Sequence, residues 1–376
     1  MGGKRPKLLF LVTEDWYFCS HRLPLACAAR DAGFDVSVAT RVRAHGEKIS
    51  AAGLNLIPLG LQRSSRNPWR ELAAINEIAR IYRCVAPDIV HHVAMKPVLY
   101  GSLAAKIVGV PKVVNALAGM GYVFTSHKLS ARLLRPLITL ALRALLKNGR
   151  VILQNPDDRA SLIAAGVLEA EQVRLIRGSG VDTALFRFLP EPDKLPPQVV
   201  LPARMLWDKG VDEFVAAAQI LKQDGVDARF LLAGERDPDN PADIPLAQLQ
   251  AWHDAGNVTW LGRQDNMPAL LAQANIVCLP SYREGLPKAL LEAASCGRAI
   301  VATDVPGCRE AVQHEQNGLL VPARDAAALA AALRRLIENP ALRRQFGRRG
   351  REMAEQEFSV EKVTAETLAL YRELLP

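Results

Sequence analysis

Two glutamates stand eight residues apart around a Gly-Leu-Pro break in the string REGLPKALLE (283–292). Glu284 comes before the break and Glu292 follows it. Glycine lets a turn approach a ligand closely and proline is favoured in the first helical turn, so a helix is predicted to begin near Pro287. Backbone N–H groups at the start of such a helix attract phosphate. The string therefore predicts an anion site flanked by two carboxylates.

The spacing of these glutamates argues against a carboxylate couple that acts on one bond. A fully helical segment would place them roughly 12 Å apart, wider than the roughly 5 to 9.5 Å of a glycosidase pair. On either side of a phosphate, the two carboxylates suit hydroxyl groups at two ends of one ligand, which is the shape of a sugar nucleotide. A helix that merely contains two glutamates is the plainer interpretation of the spacing alone.

Two cations follow the first predicted strand of the same half of the chain. In ARMLWDKG (203–210), Arg204 and Lys209 are five residues apart. Arginine contacts phosphate with a bidentate fork and lysine acts as a point charge, so the pair could neutralise a diphosphate. A basic pair in such a loop is also common as ordinary solvated surface.

Short β-rich runs alternate with helical stretches along the whole chain, which is typical of parallel sheets covered by helices. Six strands are predicted in the first half, at 7–13, 35–40, 88–94, 112–118, 151–155 and 173–178. Six more are predicted at 198–204, 228–234, 257–262, 275–281, 299–304 and 319–323. The predicted fold class is α/β, with two doubly wound, Rossmann-like domains and a ligand-binding cleft between them.

Domain boundaries follow from length and proline content. A chain of 376 residues exceeds what one hydrophobic core usually supports. Four prolines fall within LPEPDKLPP (189–197), which predicts a linker. The predicted domains are therefore residues 1–188 and 198–357, and residues 358–374 have a helical pattern.

Positive charge is concentrated in the first half. The chain has a formal net charge of +8, but the part up to Pro156 contains 22 Lys+Arg against 8 Asp+Glu, a balance of +14. The remainder contains 25 against 31, a balance of −6. A large excess of positive charge in one half of the chain favours an anionic partner such as phospholipid, a phosphorylated substrate or nucleic acid. Ordinary variation of surface charge is the alternative.

A basic amphipathic helix is predicted at 127–150. Its cations lie on one polar stripe at spacings of three and four, and the other faces are almost entirely Leu, Ile and Ala. Such a helix suits a membrane interface, though it could also be a domain helix with its apolar side in the core. Pro136 should kink or divide it. The predicted membrane contacts are Lys128, Arg132, Arg135, Arg143 and Lys147. Nucleic acid is disfavoured because leucines rather than aromatic side chains interleave with the cations.

The cysteine pattern and the absence of cofactor-binding motifs limit which cofactors and metals the protein is predicted to use. The six cysteines form no CxxC pair, which predicts reduced packing residues in a cytoplasmic protein. No metal is required, because Arg204 and Lys209 supply the positive charge that Mg²⁺ would, and DPDN (237–240) is interpreted as a turn. A GxGxxG fingerprint is absent after either first strand, which argues against a dinucleotide cofactor.

In combination, these motifs resemble the family-4 retaining glycosyltransferases, which have the GT-B fold, and the resemblance covers nearly the whole chain. EGLPKALLE is similar to the E-x7-E element of the family, ARMLWDKG to its pyrophosphate-binding loop, and the string at 301–322 to the segment that follows in the same order. The strings at 15–26, 91–105 and 115–124 look like a bacterial branch that builds lipid-linked polysaccharide or oligosaccharide.

The resemblance implies a role for each matching residue. Arg204 and Lys209 would stabilise the diphosphate, including the charge that grows on it as the sugar leaves. Glu284 would hold the sugar hydroxyls and Glu292 the ribose, while Arg263 falls where the family contacts the base. The implied donor-binding residues are Arg204, Lys209, Arg263, Glu284, Gly285, Leu286, Pro287, Lys288 and Glu292. The implied catalytic residues are Arg204, Lys209 and Glu284.

On the acceptor side, Ser20, His21 and Arg22 would lie in the loop after the first strand, with Arg22 preferred for an acceptor phosphate. The C-terminal helix (358–376) would cross back onto the first domain. The chain departs from the family where many relatives carry a histidine at the end of the strand VVNALAG. His91 and His92 lie on a different strand, where a buried, hydrogen-bonded histidine is more common than a catalytic one.

The implied enzyme is a retaining, metal-independent hexosyl- or N-acetylhexosaminyltransferase of bacterial surface polysaccharide or glycan assembly. It would move a sugar from a nucleoside-diphosphate sugar, with UDP favoured, to a polyprenyl-diphosphate-linked saccharide. It would work in the cytoplasm, peripherally on the inner face of the cytoplasmic membrane. The alternatives are a GT-B sugar-nucleotide epimerase or hydrolase, and a non-catalytic peripheral membrane protein.

Overall fold

The computed structural model describes residues 5–62, 67–117, 129–193 and 196–375, and for 129–135 it describes the backbone alone. The chain divides into two compact units. The first contains Met1–Ser179 together with Lys362–Pro376, and the second contains Gly180–Glu361. No helix in the described ranges has both the length and the apolar character needed to span a bilayer.

The first unit is built around one parallel sheet. Its strands are β1 (Lys7–Glu14), β2 (Asp35–Arg41), β3 (Asn55–Pro58), β4 (Ile89–Val93), β5 (Lys112–Leu117), β6 (Arg150–Leu153) and β7 (Val173–Leu175). Its helices include α1 (Asp15–His21), α2 (Leu23–Asp31), α3 (Gly46–Ala51), α4 (Pro68–Val85), α5 (Met95–Val108), α6 (Leu129–Leu146) and α7 (Pro156–Ala164). The spatial order is β3-β2-β1-β4-β5-β6-β7, so the order reverses beside β1.

The second unit repeats this architecture. Its strands are β8 (Gln198–Pro202), β9 (Arg229–Ala233), β10 (Thr259–Trp260), β11 (Ile276–Leu279), β12 (Ala299–Thr303) and β13 (Gly318–Val321). Its helices are α8 (Val211–Gln223), α9 (Leu246–Asp254), α10 (Met267–Gln273), α11 (Lys288–Ser295), α12 (Cys308–Ala311), α13 (Ala326–Glu338) and α14 (Pro340–Glu357), and α15 (Val360–Leu374) ends the chain. The order β10-β9-β8-β11-β12-β13 places the switch between β8 and β11. The predicted α/β class with two doubly wound sheets is confirmed.

The central strands are buried on both faces because helices cover each side of the sheets. In β1, the residues Leu8 to Val12 are at most 1% exposed, and β11 is buried along its whole length. Such strands appear in the sequence as short continuous apolar runs, which is why they were predictable. The edge strand β3 was not predicted, because NLIP is short and only partly buried.

The observed division lies earlier than the predicted boundary at 188, and Glu191, within the predicted linker (189–197), is bonded into the second unit. Phe186 is buried in the core of that unit. Glu191 forms an ion pair with the largely buried Arg343 and accepts a hydrogen bond of 2.7 Å from the Asn275 amide. Prolines here give a rigid extended segment that packs against its own unit rather than a free connection.

The end of the chain belongs to the first unit. From Lys362 onward, α15 buries Val363, Leu370 and Tyr371 in the core that includes Phe10 and Phe18. The Tyr371 hydroxyl is hydrogen-bonded to Nδ1 of His91 on β4. This helix therefore supplies part of the hydrophobic layer on one face of the first sheet.

Candidate active site

The loop after β8 packs directly on the end of β11. Gly210 has a φ of 70° and begins α8, and a Cβ at this position would overlap the carbonyl oxygen of Pro280. The Tyr282 N–H donates a hydrogen bond of 2.9 Å to the carbonyl of Asp208. Because β8 and β11 are neighbours, these contacts hold two loops together at the carboxyl ends of the strands, where doubly wound sheets bind ligands.

This packing places Lys209 against Glu284. The Lys209 ammonium lies 2.5 Å from Oε1 of Glu284, and both side chains are largely buried. The Ser281 hydroxyl donates a second hydrogen bond, of 2.7 Å, to the same oxygen. The Thr303 hydroxyl in turn donates to the Ser281 carbonyl. Two of the predicted catalytic residues are therefore direct partners, oriented by hydroxyl groups that sequence reasoning did not include.

Arg204 has a carboxylate partner of its own. Its Nη1 is ion-paired with Asp237, which follows β9, the strand next to β8. The string 237–240 forms a turn in which the Asn240 N–H donates 2.8 Å to the Asp237 carbonyl. The interpretation of 237–240 as a turn did not include the ion pair with Arg204. Asp237 can be recognised in the sequence as an acidic residue after a predicted strand. Its pairing with Arg204 could be predicted only if β9 were known to lie beside β8.

The turn before α11 has the shape that its Gly-Leu-Pro sequence predicts. The helix begins at Lys288, and Pro287 is the extended residue that caps it, with φ −74° and ψ 114°. On the other side, Gly307 has a φ of 83°, and a Cβ there would overlap the carbonyl oxygens of Glu284 and Gly285. The turn is thus closely packed by backbone from the segment after β12.

Glu292 lies one helical turn inside α11. Its Oε1 is 3.3 Å from the Lys288 ammonium, and its side chain is 12% exposed. Burial raises the pKa of Glu292, while the ammonium opposes that shift. A carboxylate in this setting is a strong hydrogen-bond acceptor and suits a ligand hydroxyl group.

A second polar cluster next to the turn was not predicted. The Tyr282 hydroxyl donates a hydrogen bond of 2.6 Å to Glu213 on α8, and the Arg324 guanidinium lies 4.5 Å above the tyrosine ring. Burial and the neighbouring carboxylate raise the pKa of the Tyr282 phenol. These partners are far apart in the chain, so no local pattern could have revealed them.

Arg263 is more than half exposed and pairs with Asp265 at 2.9 Å and, more weakly, with Glu235 at 3.7 Å. Neither partner is among the predicted donor-binding residues. Leu286 is buried, and its side chain belongs to the core below the turn. Among the predicted donor-binding residues, the described contacts connect Lys209 with Glu284 and Lys288 with Glu292.

Ser20 and His21 are not in a loop, contrary to the prediction. Strand β1 runs to Glu14 and α1 begins at once with Asp15, so both residues lie inside α1. The His21 ring stacks on Tyr17, with ring centroids 4.1 Å apart. Arg22 follows the helix, is 4% exposed, and donates a long hydrogen bond of 3.4 Å to the Gly178 carbonyl. In this position its guanidinium is a buried group rather than a surface one.

Both histidines of β4 are core residues. His92 is hydrogen-bonded at 2.8 Å to the Tyr82 hydroxyl and at 2.8 Å to Oδ1 of Asn115. Burial lowers the pKa of His92 to about 4. His91 is hydrogen-bonded to Tyr371, and burial holds its pKa well below the usual value. Both imidazoles are neutral at physiological pH.

Helix α6 has leucines in the core and leucines on the surface. It therefore fits both the interpretation as a domain helix and the interpretation as a membrane-interface helix. Leu142 and Leu146 are buried in the core of the first unit, whereas Leu137 and Leu140 are 63% and 65% exposed. The helix continues through Pro136. Arg143 and Lys147 are exposed beside these leucines. Lys128 and the side chains of Arg132 and Arg135 lie outside the described residues.

All six cysteines are free thiols, and three of them, Cys278, Cys296 and Cys308, are buried. Burial raises the pKa of the Cys296 thiol to about 11. In the part of the chain that the structure describes, no group of three or more His, Cys, Asp or Glu side chains is arranged to hold a metal ion.

Comparison with known proteins identifies the family. The description "Glycosyl transferase 4-like" matches residues 7–155, and "Glycosyl transferases group 1" matches residues 196–339. A Campylobacter jejuni relative, N,N'-diacetylbacillosaminyl-diphospho-undecaprenol alpha-1,3-N-acetylgalactosaminyltransferase, is 30% identical and aligns with 86% of this chain and 87% of its own. The chain belongs to the family-4 glycosyltransferases. The protein is thus a glycosyltransferase, as its sequence motifs predicted.

Solved glycosyltransferase structures share the fold. Sucrose-phosphate synthase from Thermosynechococcus elongatus matches with a TM-score of 0.79 at 24% identity, covering 98% of this chain and 99% of that one. Anabaena HepE in complex with UDP matches with a TM-score of 0.76 at 19% identity, covering 98% and 100%. The GT-B fold of this family-4 glycosyltransferase is confirmed.

Proposed function

We propose that the protein is a retaining, metal-independent glycosyltransferase that moves a hexosyl or N-acetylhexosaminyl group from a UDP-sugar to a polyprenyl-diphosphate-linked saccharide. The observation that carries the donor half of this proposal is the Lys209–Glu284 ion pair at the turn before α11. The acceptor half rests on α6 and on the Campylobacter relative, which is named for a diphospho-undecaprenol acceptor.

The ion pairs of the second unit suit an exchange of partners when the donor binds. Lys209 and Arg204 are each paired with a carboxylate, Lys209 with Glu284 and Arg204 with Asp237. A diphosphate carries more negative charge than one carboxylate. It can therefore replace Glu284 as the partner of Lys209 and Asp237 as the partner of Arg204. Glu284 is then released to accept hydrogen bonds from sugar hydroxyls. The same two cations stabilise the negative charge that develops on the diphosphate, the role that Mg²⁺ has in metal-dependent transferases.

The transfer step needs no covalent nucleophile from the chain. The acceptor hydroxyl oxygen forms a bond to the anomeric carbon on the face from which the diphosphate leaves, and the carbon–oxygen bond to the β-phosphate breaks. The hydroxyl proton passes to the departing phosphate oxygen, so configuration is retained and charge is balanced. The protein's part is to position both substrates and to stabilise the leaving group.

The acceptor would be reached at an anionic membrane surface on the cytoplasmic side. Leu137 and Leu140 present an exposed apolar strip on α6, and Arg143 and Lys147 flank it. Apolar side chains that enter the interface and cations that contact phosphate headgroups are the two components of peripheral binding. The surplus of positive charge in the first half of the chain supports the same placement.

The proposal is tested by incubating the protein with a panel of sugar nucleotides and polyprenyl-diphosphate saccharides, with EDTA present. The masses of the products are then measured by mass spectrometry. We expect one acceptor mass to rise by one hexose or N-acetylhexosamine residue, with the new linkage retaining the donor's anomeric configuration by NMR. Transfer that stops with EDTA contradicts metal independence. Release of free sugar at one rate with or without acceptor supports the hydrolase alternative instead.

A further inference from the structure

The loop between β11 and α11 leaves the sheet between two layers of helices in the second unit. Alternate residues of β11 belong to different cores, with Cys278 in the core that includes α8 and Leu279 in the core that includes α11. This alternation follows from the geometry of a strand, whose successive side chains point to opposite faces. The loop 280–287 carries Glu284. The place of this carboxylate therefore depends on the contacts that hold the loop to either layer.

Tyr282 connects the loop to α8. Its N–H donates a hydrogen bond of 2.9 Å to the Asp208 carbonyl, and its hydroxyl donates one of 2.6 Å to Oε1 of Glu213 on α8. Asp208 directly precedes Lys209, and Glu213 follows Lys209 by four positions. One tyrosine is thus bonded to the chain on both sides of the lysine that pairs with Glu284.

The ring of Tyr282 is also held at one face. The Arg324 guanidinium, which comes from the segment after β13, lies 4.5 Å from the ring centroid. A cation at this distance is attracted by the π electrons of the ring. Asp325, the next residue, accepts a hydrogen bond of 2.8 Å from the Ala328 N–H and so caps α13. The tyrosine side chain is therefore fixed between α8 and the start of α13.

The neighbours of Tyr282 in the chain hold the carboxylate of the proposed donor site. The Ser281 hydroxyl donates a hydrogen bond of 2.7 Å to Oε1 of Glu284. The Lys209 ammonium lies 2.5 Å from the same oxygen. Because the loop is anchored at Tyr282, a shift of this residue would move Ser281 and Glu284 relative to Lys209. The hydrogen bonds of one tyrosine therefore bear on the geometry of the ion pair.

We propose that Tyr282 is a positioning residue of the donor site. Through Asp208 and Glu213 it sets the separation of Lys209 from Glu284, and with it the placement of the donor sugar relative to the diphosphate. This inference rests on the proposed function for the roles of Lys209 and Glu284. Such a residue has a large effect on the reaction, because a displacement of about 1 Å can cost about 10²-fold in rate.

Tyr282→Phe tests the proposal, since it removes the hydroxyl group and keeps the N–H bond to Asp208. We expect an unchanged affinity for UDP by calorimetry, because the loop that carries Lys209 retains its backbone bond. Affinity for UDP-glucose and UDP-N-acetylglucosamine should fall roughly tenfold in whichever case the wild type prefers the sugar nucleotide to UDP, the cost of one misplaced hydrogen bond from a sugar hydroxyl to Glu284. With the substrates that the transfer assay identifies, kcat should fall at least about tenfold. Wild-type values for both quantities overturn the proposal.

Variants of Glu213 show whether the effect passes through this hydrogen bond. Glu213→Gln keeps an oxygen that accepts from the phenol, so it should retain most of the sugar-nucleotide affinity. Glu213→Leu removes the acceptor and should behave like Tyr282→Phe. The double variant Tyr282→Phe/Glu213→Leu should be no weaker than either single variant, because both remove the same bond. Additive losses in the double variant contradict the proposal.

The matched control is Tyr100→Phe, which removes a phenol–carboxylate bond of 2.5 Å to Glu71 in the first unit. It should bind UDP and both sugar nucleotides as the wild type does. Equal losses of UDP and sugar-nucleotide affinity in Tyr282→Phe would indicate general destabilisation and contradict a positioning role. If Lys209→Ala and Glu284→Ala lose sugar-nucleotide binding while Tyr282→Phe is normal, only this inference fails. If all three bind normally, the proposed donor site fails as well.

Discussion

Lys209 and Glu284 are direct partners, 2.5 Å apart, although one follows β8 and the other follows β11. The pair joins the cation proposed for the donor's diphosphate to the carboxylate proposed for its sugar. We expect Lys209→Ala to lower the transfer rate by about 10²–10³-fold, the usual cost of one charge-stabilising donor. Initial rates under saturating substrates measure this effect. The control Lys222→Ala, an exposed lysine of the same unit, should be unaffected, and near-normal turnover in the Lys209 variant would refute the assignment.

In the proposed donor site, Asp237 would compete with a donor phosphate for Arg204. Replacement by Asn keeps the size of the side chain but removes the charge that holds the guanidinium. We therefore expect Asp237→Asn to bind UDP more tightly than the wild type, by calorimetry. Asp239→Asn, two residues away in the same turn, is the matched control and should bind UDP as the wild type does. Weaker binding in the Asp237 variant would mean that the ion pair orients Arg204 for the ligand rather than competing for it.

The raised pKa of Glu292 predicts a pH dependence of stability. A carboxyl whose pKa is higher in the folded than in the unfolded protein binds its proton more tightly when folded, so protonation stabilises the fold. That contribution is complete below the ordinary glutamate pKa and is lost as pH rises through the raised value. Relative to Glu292→Gln, the wild type should gain stability on acidification, as measured by urea denaturation at several pH values. Parallel curves for the two proteins would contradict the shift.

The hydrogen bond between Tyr371 and His91 connects the last helix to β4. Tyr371→Phe keeps the ring in the core but leaves a buried imidazole nitrogen without its partner. We expect a loss of about 1–3 kcal/mol in the free energy of unfolding, the cost of an unsatisfied buried polar atom. The matched control is Tyr100→Phe, which removes a phenol from the half-buried surface near Glu71 and should cost less. Equal values for the two variants would argue against a special role for the buried bond.

Membrane attachment through α6 predicts loss of vesicle binding when its exposed strip is changed. Leu137→Ser/Leu140→Ser removes apolar contact, and Arg143→Glu/Lys147→Glu reverses the charge beside it. Both variants should co-sediment less with vesicles that contain phosphatidylglycerol, and only the second effect should weaken in high salt. Ile107→Ser, which alters an exposed apolar residue of α5, is the control. Unchanged co-sedimentation of both double variants would refute the membrane role of this helix.

Most strands were predictable because the central ones are apolar on both faces, as Leu8 to Val12 illustrate. The proximity of Lys209 and Glu284 was also predictable from the sequence, since both residues follow strands of one domain and their side chains carry opposite charges. The error at Ser20 and His21 has a local cause. The polar and aromatic string DWYFCSH has no alternation or turn residue that marks its single helix, and the helix is stabilised by Asp15 bonds to a distant loop.

Other features depend on contacts between residues that are far apart in the chain, and no local sequence pattern reveals such contacts. The ion pair of Arg204 with Asp237 requires β9 to lie beside β8, and Glu191 becomes a buried partner only through Arg343 on α14. Prolines alone therefore suggested a linker where the chain packs on its own unit. The bonds by which the Asp15 carboxylate holds the backbones of Arg43 and His45 likewise join residues 28 and 30 positions apart.

The placement of Lys362–Pro376 has a consequence for biosynthesis. The amino-terminal unit leaves the ribosome first, yet its core lacks Val363, Leu370 and Tyr371 until those residues have also been translated. The second unit is made entirely of one continuous stretch, so its core needs no residue from beyond Glu361. The half of the enzyme that is synthesised first is therefore the half whose hydrophobic interior stays open longest, and it is the one with the greatest need for chaperone protection during translation.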